Sequence, residues 1–242
     1  MTPDATTAPS SRERRALPGW LRQTWLVAKK DLAIELATGE IVTTAGFFAV
    51  LVTIIASLAF FAGKNGQRDV APGVIWVSVA FASILALSRT WQREREDAAI
   101  RGLLIAPLAR SAIFAGKAIG VAAFVTAVEI IVVPVTALFF SIDLAEHAGA
   151  LALMLLAATP GIAASGTLFG AMTIRTRARD LILASVMLPL LAPSILAGVA
   201  GTRALLGGAP MSELTDYFSL LGLFGFIFTA GGIGLFDTVI EG

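Results

Sequence analysis

The chain has 242 residues, 57% of them hydrophobic and only 14% charged, with a mean hydropathy of +0.84. A soluble domain of this size is nearer half apolar and a quarter charged, so the surplus apolar surface has to face lipid. There is no cysteine, which excludes disulfides and thiolate metal sites; a lone histidine, His147, cannot build a metal site; and a net charge of +1 gives no reason to expect a nucleic-acid partner.

In chain order, residues 1–18 are rich in Pro, Ser, Thr and Arg and read as a disordered cytoplasmic tail ahead of a transmembrane domain over 19–242. The first long apolar run starts only near Ile41, too far along for a signal peptide. Over residues 20–38, Leu21, Trp25, Ala28, Leu32 and Leu36 recur at helical spacing while Arg22, Lys29 and Lys30 lie off that face. This predicts an amphipathic helix on the inner membrane surface, or packed on another subunit, with Gly39 as its C-cap.

A bilayer core of roughly 30 Å needs about 20 apolar helical residues to cross it. Six segments qualify, over 41–62, 73–90, 112–140, 149–173, 181–200 and 217–239. The fold class is therefore all-α: a polytopic membrane protein with six transmembrane helices and an N-terminal interfacial helix. Orientation follows from the cations. Fifteen of the 18 Lys and Arg fall in the N-terminal segment and in the linkers after the second and fourth spans, while Lys64, Arg68 and Arg203 fall on the other side. The rich side is expected in the cytoplasm, with both termini. A single cysteine at Asp97 should then react with an impermeant reagent only from the cytoplasmic side; labelling from outside intact cells would reverse the topology.

The linker 89–117 carries the most information. Arg93, Glu94, Arg95, Glu96, Asp97 and Arg101 interleave charges at helix-pair spacing, and Leu103, Leu104 and Ile105 then place apolar side chains where a free loop has none. One reading is a solvated charged helix; the other is a short helix docked on a soluble subunit. Within the third span, Glu129 lies 12 residues beyond Lys117, about 18 Å along a helix. With Lys117 snorkelling to the inner interface, Glu129 sits near mid-membrane, where a carboxyl is paired, protonated or functional. Glu129→Gln should be tolerated there, and Glu129→Leu should strand a partner. Pro134, Pro160, Pro189 and Pro193 kink three spans, and Gly116/Gly120 and Gly166/Gly170 form small-residue faces for close helix contact. His147, in the outer linker, reads as a solvent-exposed side chain or an external ligand.

The run from Arg93-Glu-Arg-Glu96 through Gly102-Leu-Leu-Ile-Ala-Pro-Leu-Ala-Arg-Ser-Ala-Ile-Phe-Ala-Gly-Lys117 resembles membrane subunits of ABC exporters. Together with Glu35-Leu-Ala-Thr-Gly-Glu40, Ala71-Pro-Gly-Val-Ile-Trp-Val77, Pro160-Gly-Ile-Ala-Ala-Ser-Gly-Thr-Leu-Phe-Gly170, Arg175-Thr-Arg-Ala-Arg-Asp180 and Leu188-Pro-Leu-Leu-Ala-Pro193, it resembles the CcmB family over roughly residues 30–240. The resemblance implies a permease-like, non-catalytic subunit in the inner membrane. Its implied partners are an ATP-binding subunit (CcmA-like), CcmC-like and CcmD-like membrane proteins and a CcmE-like haem chaperone. It implies that ATP is bound by the partner and that haem is cargo of the complex; no cofactor is assigned to this chain. Independently, no Gly-x-x-x-x-Gly-Lys-Ser/Thr loop occurs, since Lys117 is followed by Ala118, and no Trp-x-Trp-Asp signature surrounds Trp20, Trp25, Trp76 or Trp91. The alternatives are an exporter permease for an unrelated substrate, an ion-coupled carrier using Glu129, and a purely structural assembly subunit.

Overall fold

The computed structural model describes residues 18–60, 63–96, 102, 105–173 and 179–241, and the predicted tail lies outside them apart from Pro18. Regular structure among the described residues is entirely helical: α1 (Trp20–Thr38), α2 (Glu40–Ala59), α3 (Gly63–Glu96), α4 (Arg110–Phe139), α5 (Leu144–Thr173), α6 (Arg179–Leu206) and α7 (Met211–Glu241). Six helices are long and apolar enough to span a membrane, with spans at Glu40–Ala59, Asp69–Glu94, Arg110–Phe139, Glu146–Thr173, Ser185–Leu206 and Met211–Ile240. Helix is the form that satisfies every backbone group where lipid offers no partner.

The core lies where α3, α4, α5, α6 and α7 meet, around Trp76, Val125, Met154, Met187 and Leu221. α4 touches α1, α2, α3, α5 and α7, and α2 closes the bundle against α3 and α4. Lipid-facing residues stay apolar: Phe47, Leu51, Ile55 and Leu58 on α2 and Leu223, Phe226 and Ile227 on α7 are exposed.

Small residues set the approach of the helices, as the sequence predicted, and the structure supplies their partners. Leu87 and Trp91 of α3 press on Gly166 and Gly170 of α5, where any Cβ would come within 2.2 and 2.1 Å of those side chains. Trp76 fills the equivalent hollow at Gly198 of α6 and donates its indole N–H to Thr202 Oγ1 at 2.9 Å. On α4, the Gly116/Gly120 face receives α1: a Cβ at Gly116 would lie 2.6 Å from the Thr24 carbonyl oxygen and from Val27 Cβ.

α1 ends at Gly39, whose φ of 63° is left-handed and whose N–H reaches Glu35 O at 2.6 Å. Glycine takes that conformation without a Cβ penalty. α2 starts at the next residue, and Glu35 reaches over the break to accept the Val42 N–H through Oε1 at 2.8 Å. A carboxylate there also meets the positive end of the α2 dipole. The predicted apolar face of α1 divides. Leu21, Trp25 and Leu36 point outward, whereas Ala28 is buried with Gln23, Thr24, Asp31 and Glu35. The helix thus turns its carboxylates into the bundle and leaves large apolar side chains outside.

Candidate coupling site

Glu94, at the α3 end, does not stay in solvent. α3 continues through Glu96, so Arg93 and Glu94 belong to its last turns and not to a loop. Hydropathy places this segment beyond the span because it cannot see that its charges are paired. Glu94 is 4% exposed and Lys117, from α4, 1%. Lys117 donates to Glu94 Oε1 and also lies 2.8 Å from Asp31 Oδ2 of α1. It therefore does not snorkel to the interface as the sequence suggested; two inward carboxylates hold it. Its ammonium also lies 6.0 Å from the centre of the buried Trp91 ring, within reach of a cation–π contact.

Three further cations complete the cluster. Lys30 Nζ donates to Glu94 Oε1 at 2.6 Å and lies 3.2 Å from Asp31. Burial works against the Lys30 charge, but Asp31 and Glu94 outweigh it and hold the ammonium above the ordinary lysine value. Arg93 bridges Glu35 at 3.1 Å and Glu40 at 2.8 Å, binding the helices on either side of the Gly39 break, and Arg89 reaches Glu40 at 3.5 Å. Lys30, Arg89, Arg93 and Lys117 thus face Asp31, Glu35, Glu40 and Glu94 in equal number. Charge-assisted bonds of this kind are stronger and more directional than neutral ones. A cavity of about 140 Å³ lies beside the cluster, between Lys30, Glu94, Lys117 and the apolar Ile34, Ile41 and Phe124.

Of the other predicted coupling residues, Asp97, Arg101, Leu103 and Leu104 lie outside the described residues, as do the side chains of Arg95 and Glu96. Ile105 is described and is 84% exposed. Six partners in the cluster, Lys30, Asp31, Glu35, Glu40, Arg89 and Lys117, are not among the candidate site residues. The available signal was the i, i+4 pair Asp31/Glu35, together with a lysine inside a small-residue face at Gly116/Gly120.

Glu129 is 4% exposed and accepts the Thr159 hydroxyl from α5 at 3.0 and 3.3 Å. It borders an apolar groove of about 400 Å³ between α4 and α5, with Ile130, Val133, Pro134 and Leu156. The same Thr159 hydroxyl lies 2.8 Å from the Leu155 carbonyl oxygen, so loss of Glu129 does not strand it. The expectation for Glu129→Leu therefore drops to the loss of one hydrogen bond, about 0.5–1.5 kcal/mol. Glu129→Gln should match the parent in a detergent melting curve, with Glu129→Leu only slightly below it. Complete loss of function in both variants would point to an obligatory charge. His147 borders a separate cavity of about 210 Å³ with Asp143, Glu146 and Gly208 at the opposite end of the bundle.

The sequence matches the CcmB protein family over residues 22–231, from the first turn of α1 into α7. The chain belongs to the CcmB family. Among curated relatives, the Heme exporter protein B of Bradyrhizobium diazoefficiens is 27% identical over 184 residues, covering 76% of this chain and 82% of the relative. That of Pseudomonas aeruginosa is 25% identical over 189 residues (77% and 83%), and that of Paracoccus denitrificans 29% identical over 172 residues (69% and 77%). The CcmB match takes in α1, so Asp31, Glu94, Lys117 and Glu129 all fall within it.

Proposed function

We propose that this chain is the permease-like membrane subunit of an ABC-type complex in cytochrome c biogenesis. In this reading it couples ATP hydrolysis on a separate CcmA-like subunit to haem delivery or to release of a haem-loaded, CcmE-like chaperone. CcmC-like and CcmD-like proteins complete the complex, in the bacterial inner membrane with both termini cytoplasmic. The observation that carries the reading is the CcmB match over residues 22–231. The charged cluster supports it: the two helices flanking the linker, α3 and α4, are fastened to each other by Glu94 and Lys117. A stretch anchored in this way passes a push from a soluble partner into the bundle instead of yielding alone. The carrier alternative has less support, because Glu129 has a threonine and not a second acid beside it.

Reversing Glu94 would break the interior, so the docking test belongs further along the linker. Ile105→Asp places a charge on an exposed apolar side chain. It should reduce co-purification of the ATP-binding subunit while the chain still inserts and melts normally. Full retention of that subunit, with normal cytochrome c maturation, would remove this part of the linker from the contact.

A further inference from the structure

α1 touches both ends of the linker. Before it, Lys30 Nζ binds Glu94 Oε1 at 2.6 Å. After it, Gln23 Oε1 accepts the Ala109 N–H at 2.7 Å, and the Trp20 indole donates to Ser111 Oγ at 3.0 Å. Between these grips, Asp31 holds Lys117, which holds Glu94 in turn. The end of α3 and the start of α4 are therefore both held to one helix, α1.

We infer that α1 is the transmission element of the coupling site, with Gln23, Lys30 and Asp31 as positioning residues that hold both ends of the linker to one helix. The inference rests on the proposed function. A loop tied at its two ends only to α3 and α4 would spread or twist those helices when pushed. Here the same displacement has to carry α1, because moving α1 alone would part the buried pair Lys117–Asp31 and pull Lys30 from the buried Glu94. Charges taken out of water resist separation more strongly than exposed ones. From α1 the motion passes to α2: Arg93 binds Glu35 and Glu40 across the Gly39 break, so the break is bridged by a cation belonging to α3. One rigid corner of α1, the start of α2, the end of α3 and the start of α4 results. A cluster that served stability alone would have no need to engage both ends of the linker.

The test replaces an ionic tie by a covalent one. A Cβ at position 120 lies 3.4 Å from Asp31 Cβ, close to the ordinary disulfide separation of about 3.5–4.5 Å. The chain has no native cysteine. In D31C/G120C the Asp31–Lys117 tie is lost, and oxidation fastens α1 to α4 directly. The experiment measures ATP turnover by the purified complex in lipid vesicles, relative to the ATP-binding subunit alone, with the wild-type complex carried through the same oxidant and reductant.

The expected result is a reduced double variant that still holds the ATP-binding subunit but no longer stimulates its turnover, and an oxidised form in which stimulation returns. Equal stimulation in both redox forms would overturn the inference. Asp31→Asn provides a second arm should the cysteine pair not be recovered, because Lys117 keeps Glu94 and the chain keeps its fold. It should co-purify with the ATP-binding subunit and lose stimulation, and wild-type stimulation by Asp31→Asn would again count against α1. A wild-type chain that neither binds nor stimulates an ATP-binding subunit is a different failure, that of the proposed function itself.

Discussion

Lys117→Met is expected to cost about 3–5 kcal/mol, because it leaves buried carboxylates without their main cation. Asp31 and Glu94 are 7% and 4% exposed, and Lys117 bonds to both. The remaining cation, Lys30, has a side chain 36% exposed and cannot neutralise two buried anions. A loss of that size is a large fraction of the stability of an ordinary protein, so the variant should be poorly recovered from membranes and melt far below the parent in detergent. The methionine keeps most of the apolar stem, which separates charge from packing. Neutralising the anions as well, in Lys117→Met with Asp31→Asn and Glu94→Gln, should recover much of the loss, since an uncharged cluster has no uncompensated ion. A triple variant as unstable as Lys117→Met would show that the lysine acts through packing alone.

How much of this was legible in the sequence depends on how far apart the partners lie. The six spans were readable because lipid demands continuous apolar stretches, and hydropathy measures that demand directly. Their ends were not. α3 runs to Glu96 and α5 starts at Leu144, beyond the apolar runs at 73–90 and 149–173. At the α3 end the extension carries charges whose partners sit on other helices. Arg93-Glu94-Arg95-Glu96 has the one-dimensional pattern of a solvated helix, and nothing within one turn of it reveals that Glu94 pairs with Lys117, 23 residues later. The same distance effect inverted α1. Its apolar spacing marked a real helix, but Asp31 and Glu35 could be read as buried only once Lys117 and Arg93 were known to face them. The small-residue pairs lay in between: close contact was foreseeable from spacing, while the partner helices were tertiary information.

Gly170→Ala is expected to destabilise the bundle by about 1–3 kcal/mol through overpacking. The added methyl would lie 2.1 Å from Trp91 Nε1 and 2.4 Å from Cδ1, and Trp91, 1% exposed, has no open side into which to retreat. Gly222→Ala is the matched control. It also adds a methyl within a membrane-spanning helix, but nothing lies within 4 Å of the new atom, so the gain in helix propensity should leave that variant unchanged or slightly more stable. Trp91→Leu should relieve the clash, so that Gly170→Ala costs less on that background than in the parent, and the difference is the interaction energy of the pair. The disturbance should also reach function. Trp91 stands one turn before Glu94 and beneath the Lys117 ammonium, so a displaced indole shifts two members of the charged cluster. Thermal melting of the parent, the three single variants and the double variant in one detergent measures the stability terms. If Gly170→Ala and Gly222→Ala melt together, α3 and α5 are not in the close contact described.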